Sequence, residues 1–280
     1  MNKLSLPEYN LKMTLLGGQA FNWDFEDGYF YGFTQDKIIQ LKPIETCNGT
    51  SLLQWQTYPE RDNKNFLKNY LRLNIDYKAI LKKIQKDKYI KSAVKKYPYL
   101  RLLNQDFEQT LLSFLISSNN NIKSIRKIIR ALCYKFGKQV NLNRRNIFLF
   151  PETERIAYAK IDELLECKLG FRAKFLKGAA KHLLETNLTK KIKKLSEINA
   201  RSALTEINGV GEKIADCVLV FSLGFDNITP LDVWGKRICT EFYGLNPKMR
   251  YKEMRNWLDN YFEGNAGWAG QFLYEYIRHI

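Results

Sequence analysis

The sequence predicts an α+β protein: an N-terminal antiparallel β-rich part followed by a long all-helical part. Two observations carry that prediction. Up to about residue 60 the apolar residues come in short runs rich in aromatic and β-branched types, separated by turn dipeptides. From about Asn63 they recur at helical spacing instead.

Residues 29–33, 37–41 and 52–57 read as strands, punctuated by turns at Asp27-Gly28, Gln35-Asp36 and Asn48-Gly49. Phe66, Leu67, Tyr70 and Leu71 then share a helical face, and Ile80, Ile84 and Ile90 repeat less regularly. Tyr97-Pro98 breaks the chain. Asp106-Phe107-Glu108-Gln109 resembles a capping box that starts an apolar helix over 110–116. Ser117-Ser118-Asn119-Asn120-Asn121 interrupts it, and 122–136 continues as a basic amphipathic helix. Further helices are expected over 161–167, ending at Gly170, and over 174–185. From 196 to 280 helices are joined by tight glycine turns. The resulting division is a β-rich domain over 1–98, a helical domain over 99–195 and a third, chemistry-bearing domain over 196–280.

Charge points to the partner. The chain has 45 Lys and Arg against 29 Asp and Glu, a formal net charge of +16. Such an excess suits a polyanion, either nucleic acid or an anionic membrane surface. No apolar run approaches the ~20 residues of a membrane-spanning helix, and the start lacks a signal-peptide core. Five scattered cysteines (Cys47, Cys133, Cys167, Cys217, Cys239) imply reduced thiols and a cytoplasmic protein. There is no Cys-x-x-Cys pair, and His182 and His279 are the only histidines, so no metal or cluster site is expected.

The chemistry concentrates in 204–221. Leu204 and Ile207 close one apolar helix face, and Ile214, Ala215 and Val218 open another. Asn208-Gly209-Val210-Gly211 between them is long enough only for a hairpin turn. Its glycines permit close backbone approach, Val210 points inward, and the N–H groups at the next helix start offer a phosphate site. Such a hairpin grips backbone phosphates without reading sequence. Lys213 lies just inside the second helix, where the helix N-terminus and partial burial both disfavour its charged form. A neutral amine there suits attack on a sugar carbon with imine formation. Taken alone, a lysine in so basic a chain reads as a solvated surface residue. Thr229-Pro230-Leu231-Asp232-Val233-Trp234 supplies a second candidate. Pro230 fixes the chain, and Asp232 is placed to cap the following helix or to stabilise positive charge on a deoxyribose ring.

Together the hairpin, Lys213 and the Pro230-x-Asp232 turn resemble the helix-hairpin-helix base-excision DNA glycosylases. The departure is Asn208, where that family commonly has proline. In the superfamily a lysine at the Lys213 position marks bifunctional members, which remove a base and then nick the strand. The absence of cysteine from 251–280 separates the chain from the iron–sulfur branches. Four further runs resemble the eukaryotic-type 8-oxoguanine DNA glycosylases: Gly18-Gln19-Ala20-Phe21-Asn22-Trp23, Ser117 to Ile122, Leu169-Gly170-Phe171-Arg172-Ala173, and Ala266-Gly267-Trp268-Ala269.

The resemblance implies a fold with a helix-hairpin-helix glycosylase core and a partner, double-stranded DNA containing 8-oxoguanine. It also implies roles. Lys213 and Asp232 are catalytic. Gly18 offers its carbonyl to the N7 hydrogen of the damaged base, which Cys217 and Tyr274 sandwich beside Pro230. Asn119 fills the gap in the duplex with Phe171 as wedge, and Arg172 approaches the orphaned base. Gly209, Val210, Gly211 and Trp234 contact the DNA backbone. Three departures bear on recognition: Gly270, with Gln271 adjacent, replaces a base-edge glutamine; Trp234 replaces a phosphate-contacting histidine; and Ser124 replaces an arginine that checks for cytosine. No cofactor is implied; a cation at the hairpin carbonyls around Ile207 and Val210 would be structural. A monomer is expected. The rival readings are a monofunctional alkylated-base glycosylase and a non-enzymatic DNA-binding protein.

Overall fold

The computed structural model describes the chain except residues 46–50, 60–62 and 143–144. The expected Asn48-Gly49 turn and Cys47 lie outside the described residues. The front is a five-stranded sheet of β1 (Asn2–Ser5), β2 (Trp23–Glu26), β3 (Tyr29–Phe33), β4 (Ile38–Glu45) and β5 (Ser51–Tyr58). Its order is β1-β5-β4-β3-β2, with every pairing antiparallel. The β2–β3 connection is Asp27-Gly28, with φ of 51° and 78°, the two positive values a tight hairpin of right-handed strands requires.

β3, β4 and β5 fall where the alternating apolar pattern puts them. β1 and β2 do not follow from that pattern, because each is an edge strand with one buried residue, Leu4 and Trp23. Trp23 anchors β2 nonetheless. Its ring fills the space a side chain at Gly32 would occupy, 2.7 Å from an added β-carbon, and its Nε1 donates to the Tyr70 hydroxyl at 2.9 Å. That bond ties the sheet to the first helix of the helical part, Lys64–Tyr70. A small hairpin, Gln139–Leu142 with Arg145–Phe148, interrupts the helical region unannounced by the sequence.

Two apolar cores result, one beneath the sheet around Trp23, Leu41, Leu53 and Trp55, and a larger one among the helices. At the centre of the larger core is the helix Phe107–Ile116, buried along its whole length apart from Glu108. It starts three residues before the expected 110 because Asp106 caps it, accepting the Gln109 N–H at 2.9 Å. The Gln109 amide completes no capping box; it donates to the Phe33 carbonyl at 3.1 Å. The expected helices over 122–136, 161–167 and 174–185 appear as Ile122–Phe136, Ile161–Glu166 and Arg172–Thr186. The helix after Asp232 changes pitch along its length: Val233–Arg237 is α-helical, and Ile238–Phe242 widens into a π turn.

The two ends of the chain are joined at Asp226. Arg72 donates to both its oxygens, at 2.7 and 2.6 Å, and Trp268 Nε1 donates to Oδ2 at 2.8 Å. No helix among the described residues is long and apolar enough to cross a membrane.

Candidate active site

The hairpin turn joins the helices Glu197–Thr205 and Glu212–Ser222. Val210 is buried, and its N–H closes the turn on the Ile207 carbonyl at 2.9 Å. Gly209 has φ +92°, and a β-carbon there would lie 2.7 Å from the Phe175 ring, so only glycine fits. Gly211 begins the second helix without any side-chain cap, which leaves the first-turn N–H groups open to an anion.

Lys213 projects from that first turn. Its ammonium lies 5.3 Å from the centroid of the Phe114 ring, and Nζ donates to Ser117 Oγ at 3.4 Å. Asp232 begins the helix Val233–Arg237, where Oδ1 accepts the Trp234 and Gly235 N–H groups at 2.9 and 3.0 Å. Its Oδ2 has no hydrogen-bond partner among the described residues. The carboxylate therefore serves as a helix cap through one oxygen while the other stays free to act. Cys217, one turn beyond Lys213, is buried, and burial pushes its thiol up to about 11, with the Lys213 charge opposing and the Asp232 charge reinforcing the rise. Both charges thus act on one sulfur, which is a neutral thiol near pH 7.

The opposite wall comes from the two ends of the chain. Gly18 has φ +106°, and a β-carbon there would sit 2.9 Å from Ile122 Cδ1 and 3.4 Å from the Tyr274 hydroxyl. The turn carrying Gly18 is held by Gln19, whose Nε2 donates to the Arg101 carbonyl and whose Oε1 accepts the Leu103 N–H, both at 2.8 Å. Tyr274 belongs to the helix Ala266–Ile277, with the Arg278 guanidinium 4.9 Å from its ring centroid. Burial raises the Tyr274 hydroxyl well above the usual phenol range. Gly267, Gly270, Gln271 and Tyr274 form one stripe of this helix, at i, i+3, i+4 and i+7, and all four line the pocket.

The structure thus gathers Gly18, Asn119, Gly209, Gly211, Lys213, Cys217, Pro230, Asp232, Trp234, Gly270 and Tyr274 around one cavity of about 640 Å³. Val210, Phe171 and Arg172 lie outside its lining. Phe171 is 56% exposed at the start of the helix Arg172–Thr186. Arg172 braces Asn119: its Nε and Nη2 donate to the Ser118 carbonyl at 2.7 and 2.5 Å, and Nη2 reaches the Asn119 carbonyl at 3.0 Å. That bracing holds Asn119 at φ +49°.

Beside the cavity runs a basic groove lined by Lys123, Arg126, Lys127, Arg130 and Arg278, sharing Asp232, Trp234 and Tyr274 with it. The Arg237 guanidinium lies 4.9 Å from the Trp234 ring centroid. Among the described residues no group of His, Cys, Asp or Glu could hold a metal ion. Sequence reasoning passed over Phe114, which lines the cavity, and the buried Glu275 behind Gln271; it named Ser117 and Gln271 without giving either a role. The stripe of Gly267, Gly270, Gln271 and Tyr274 was the available signal for Gln271.

The chain is similar to known DNA repair proteins. Residues 3–111 match the N-terminal domain of 8-oxoguanine DNA glycosylase, and residues 112–263 match the HhH-GPD superfamily of base excision DNA repair proteins. The chain is 30% identical to the N-glycosylase/DNA lyase of Saccharomyces cerevisiae, over 89% of this chain and 72% of that protein. It superposes on the Clostridium acetobutylicum 8-oxoguanine glycosylase/lyase, bound to double-stranded DNA with cytosine opposite 8-oxoguanine, with a TM-score of 0.88 and 28% identity. That match covers 97% of this chain and 92% of the other. The structure of MBOgg1 in complex with a low affinity DNA ligand gives a TM-score of 0.91 and 31% identity, covering 99% and 94% of the two chains. The two family models and the yeast relative agree: this chain belongs to the 8-oxoguanine DNA glycosylases of the HhH-GPD superfamily.

Proposed function

We propose that this protein is a bifunctional glycosylase and AP lyase that flips 8-oxoguanine out of duplex DNA, excises it through Lys213 and then nicks the strand, in base excision repair. The observation that carries this reading is the convergence of Lys213, Asp232, Cys217, Gly18 and Tyr274 on one cavity.

The hairpin N–H groups and the basic groove take the backbone phosphates, and Asn119 with Phe171 occupies the space the extruded nucleotide leaves. The base enters between the neutral Cys217 thiol and the Tyr274 ring, where the Gly18 carbonyl accepts the N7 hydrogen that guanine lacks. The Lys213 amine attacks C1′, and the bond from C1′ to the base breaks with its electron pair leaving on the base, which takes up a proton. Asp232 Oδ2 stabilises the positive charge that develops on the sugar. Ring opening gives an imine between Lys213 and C1′. Loss of a C2′ proton then expels the 3′ phosphate by β-elimination, and hydrolysis of the imine frees the enzyme. The protein acts as a cytoplasmic monomer on this reading, since one flipped base needs no symmetry.

The test is incubation with 8-oxoguanine duplex in the presence of borohydride. A covalent adduct that Lys213→Gln abolishes supports the proposal. Free base without an adduct would establish a monofunctional glycosylase, and neither product would leave a DNA-binding protein.

A further inference from the structure

Asp216 lies on the Lys213 helix, three residues further on, and is completely buried. It is ion-paired with Arg201 and, at 3.3 Å, with Arg255. Its Oδ2 accepts the Tyr251 hydroxyl at 2.6 Å. The same hydroxyl accepts the N–H of Leu231 at 3.3 Å, and Leu231 immediately precedes Asp232. A single oxygen atom therefore links the helix bearing Lys213 to the loop bearing Asp232. A second bond, from the Thr229 N–H to Asp259 Oδ1 at 2.9 Å, holds the same loop to the helix Tyr251–Tyr261.

Two alternatives fail on geometry. Tyr251 does not line the cavity, so it makes no substrate contact. Nor is it a free base or acid, because its hydroxyl proton is committed to a carboxylate that is itself paired with two arginines. What remains is distance. Asp232 acts on charge developing at the carbon Lys213 attacks, so their separation must be held to a fraction of an ångström for the stabilisation to be realised. Among the described residues no other side-chain hydrogen bond of 229–232 reaches the Lys213 helix.

We propose that Tyr251 is a positioning residue that sets Asp232 against Lys213 by bridging Asp216 and the Leu231 N–H. Removing the hydroxyl leaves the Tyr251 ring in its packing, the Asp216 ion pairs intact and the loop one bond short.

The test is a double-mutant cycle with Tyr251→Phe and Asp232→Asn, read by single-turnover release of 8-oxoguanine and by affinity for undamaged duplex. In the otherwise native chain Tyr251→Phe is expected to slow release about tenfold while duplex affinity moves less than about twofold. In the Asp232→Asn background the same change is expected to slow release less than about twofold, because there is no carboxylate left to misplace. Equal slowing in both backgrounds would overturn the proposal, as would no slowing in the first. A parallel loss of duplex affinity would overturn it too, by showing a general structural role. Failure of the native chain to release 8-oxoguanine sinks the substrate assignment instead, and the cycle then runs on borohydride trapping with abasic duplex.

Discussion

A β-carbon at position 270 would stand 2.6 Å from Cγ2 of Thr229, so Gly270 is what lets its helix lie against the loop that leads to Asp232. The Thr229 hydroxyl donates to the Ala266 carbonyl at 2.8 Å, which holds the methyl in place. Glycine at this position is thus a packing requirement of this chain. Gly270→Ala is expected to destabilise by about 1–3 kcal/mol in urea unfolding, and adding Thr229→Ser, which deletes the methyl and keeps the hydroxyl, should recover most of the loss. Destabilisation that Thr229→Ser leaves untouched would show that the contact is not the cause.

Ser124 carries no guanidinium to question the base opposite the lesion. It sits in the first turn of the helix Ile122–Phe136, its N–H accepted by Asn121 Oδ1 at 2.9 Å. Excision is therefore expected at similar rates opposite all four bases, and Ser124→Arg should shift the ratio toward cytosine. A strong cytosine preference in the native chain would refute this.

Glu275 is 1% exposed, and burial pushes its carboxyl up to about 8, with Arg278 opposing the rise. An elevated carboxyl pKa in the folded state means that the unfolded chain releases this proton first. Its contribution to stability is accordingly full below about 4.5, the unfolded value, and drains away as pH rises to about 8. Glu275→Gln should match the native chain in denaturant unfolding near pH 4.5 and exceed it progressively up to pH 8, by a few kcal/mol at most, on the order of what such a shift carries. A constant difference across that range would be inconsistent with a carboxyl titrating there.

Lys123 and Lys127 are exposed on the rim of the basic groove. If that groove takes phosphates, Lys123→Gln and Lys127→Gln should each reduce the slope of log affinity against log salt by about one, uniformly across DNA sequences. An unaltered slope would place the strand elsewhere.

How much of this was readable in the chain depends on range. The hairpin was legible because its demands are local: Gly209 must adopt positive φ beside Phe175, and Val210 must turn inward. The proposed catalytic pair became legible only through order and spacing, since Lys213 reads alone as a surface lysine and Asp232 reads alone as a cap. The structure shows Asp232 to be a cap and a free oxygen at once. β1 and β2 stayed hidden because an edge strand with one buried residue has no periodicity to detect. The Asp216–Tyr251–Leu231 bridge spans residues up to 35 apart in sequence, and no local pattern encodes it.

The shared carboxylate of Asp226 bears on how much of the chain the cavity requires. Arg72, from the segment after the sheet, and Trp268, from the last long helix, meet on that one side chain. The same closure sets Gly18 against Tyr274 as one wall of the cavity. Lys213 and Tyr274 line the same cavity, so the hairpin alone does not enclose it. The hairpin that carries Lys213 is one wall, and the cavity is complete only with the helix Ala266–Ile277 folded back against Gly18.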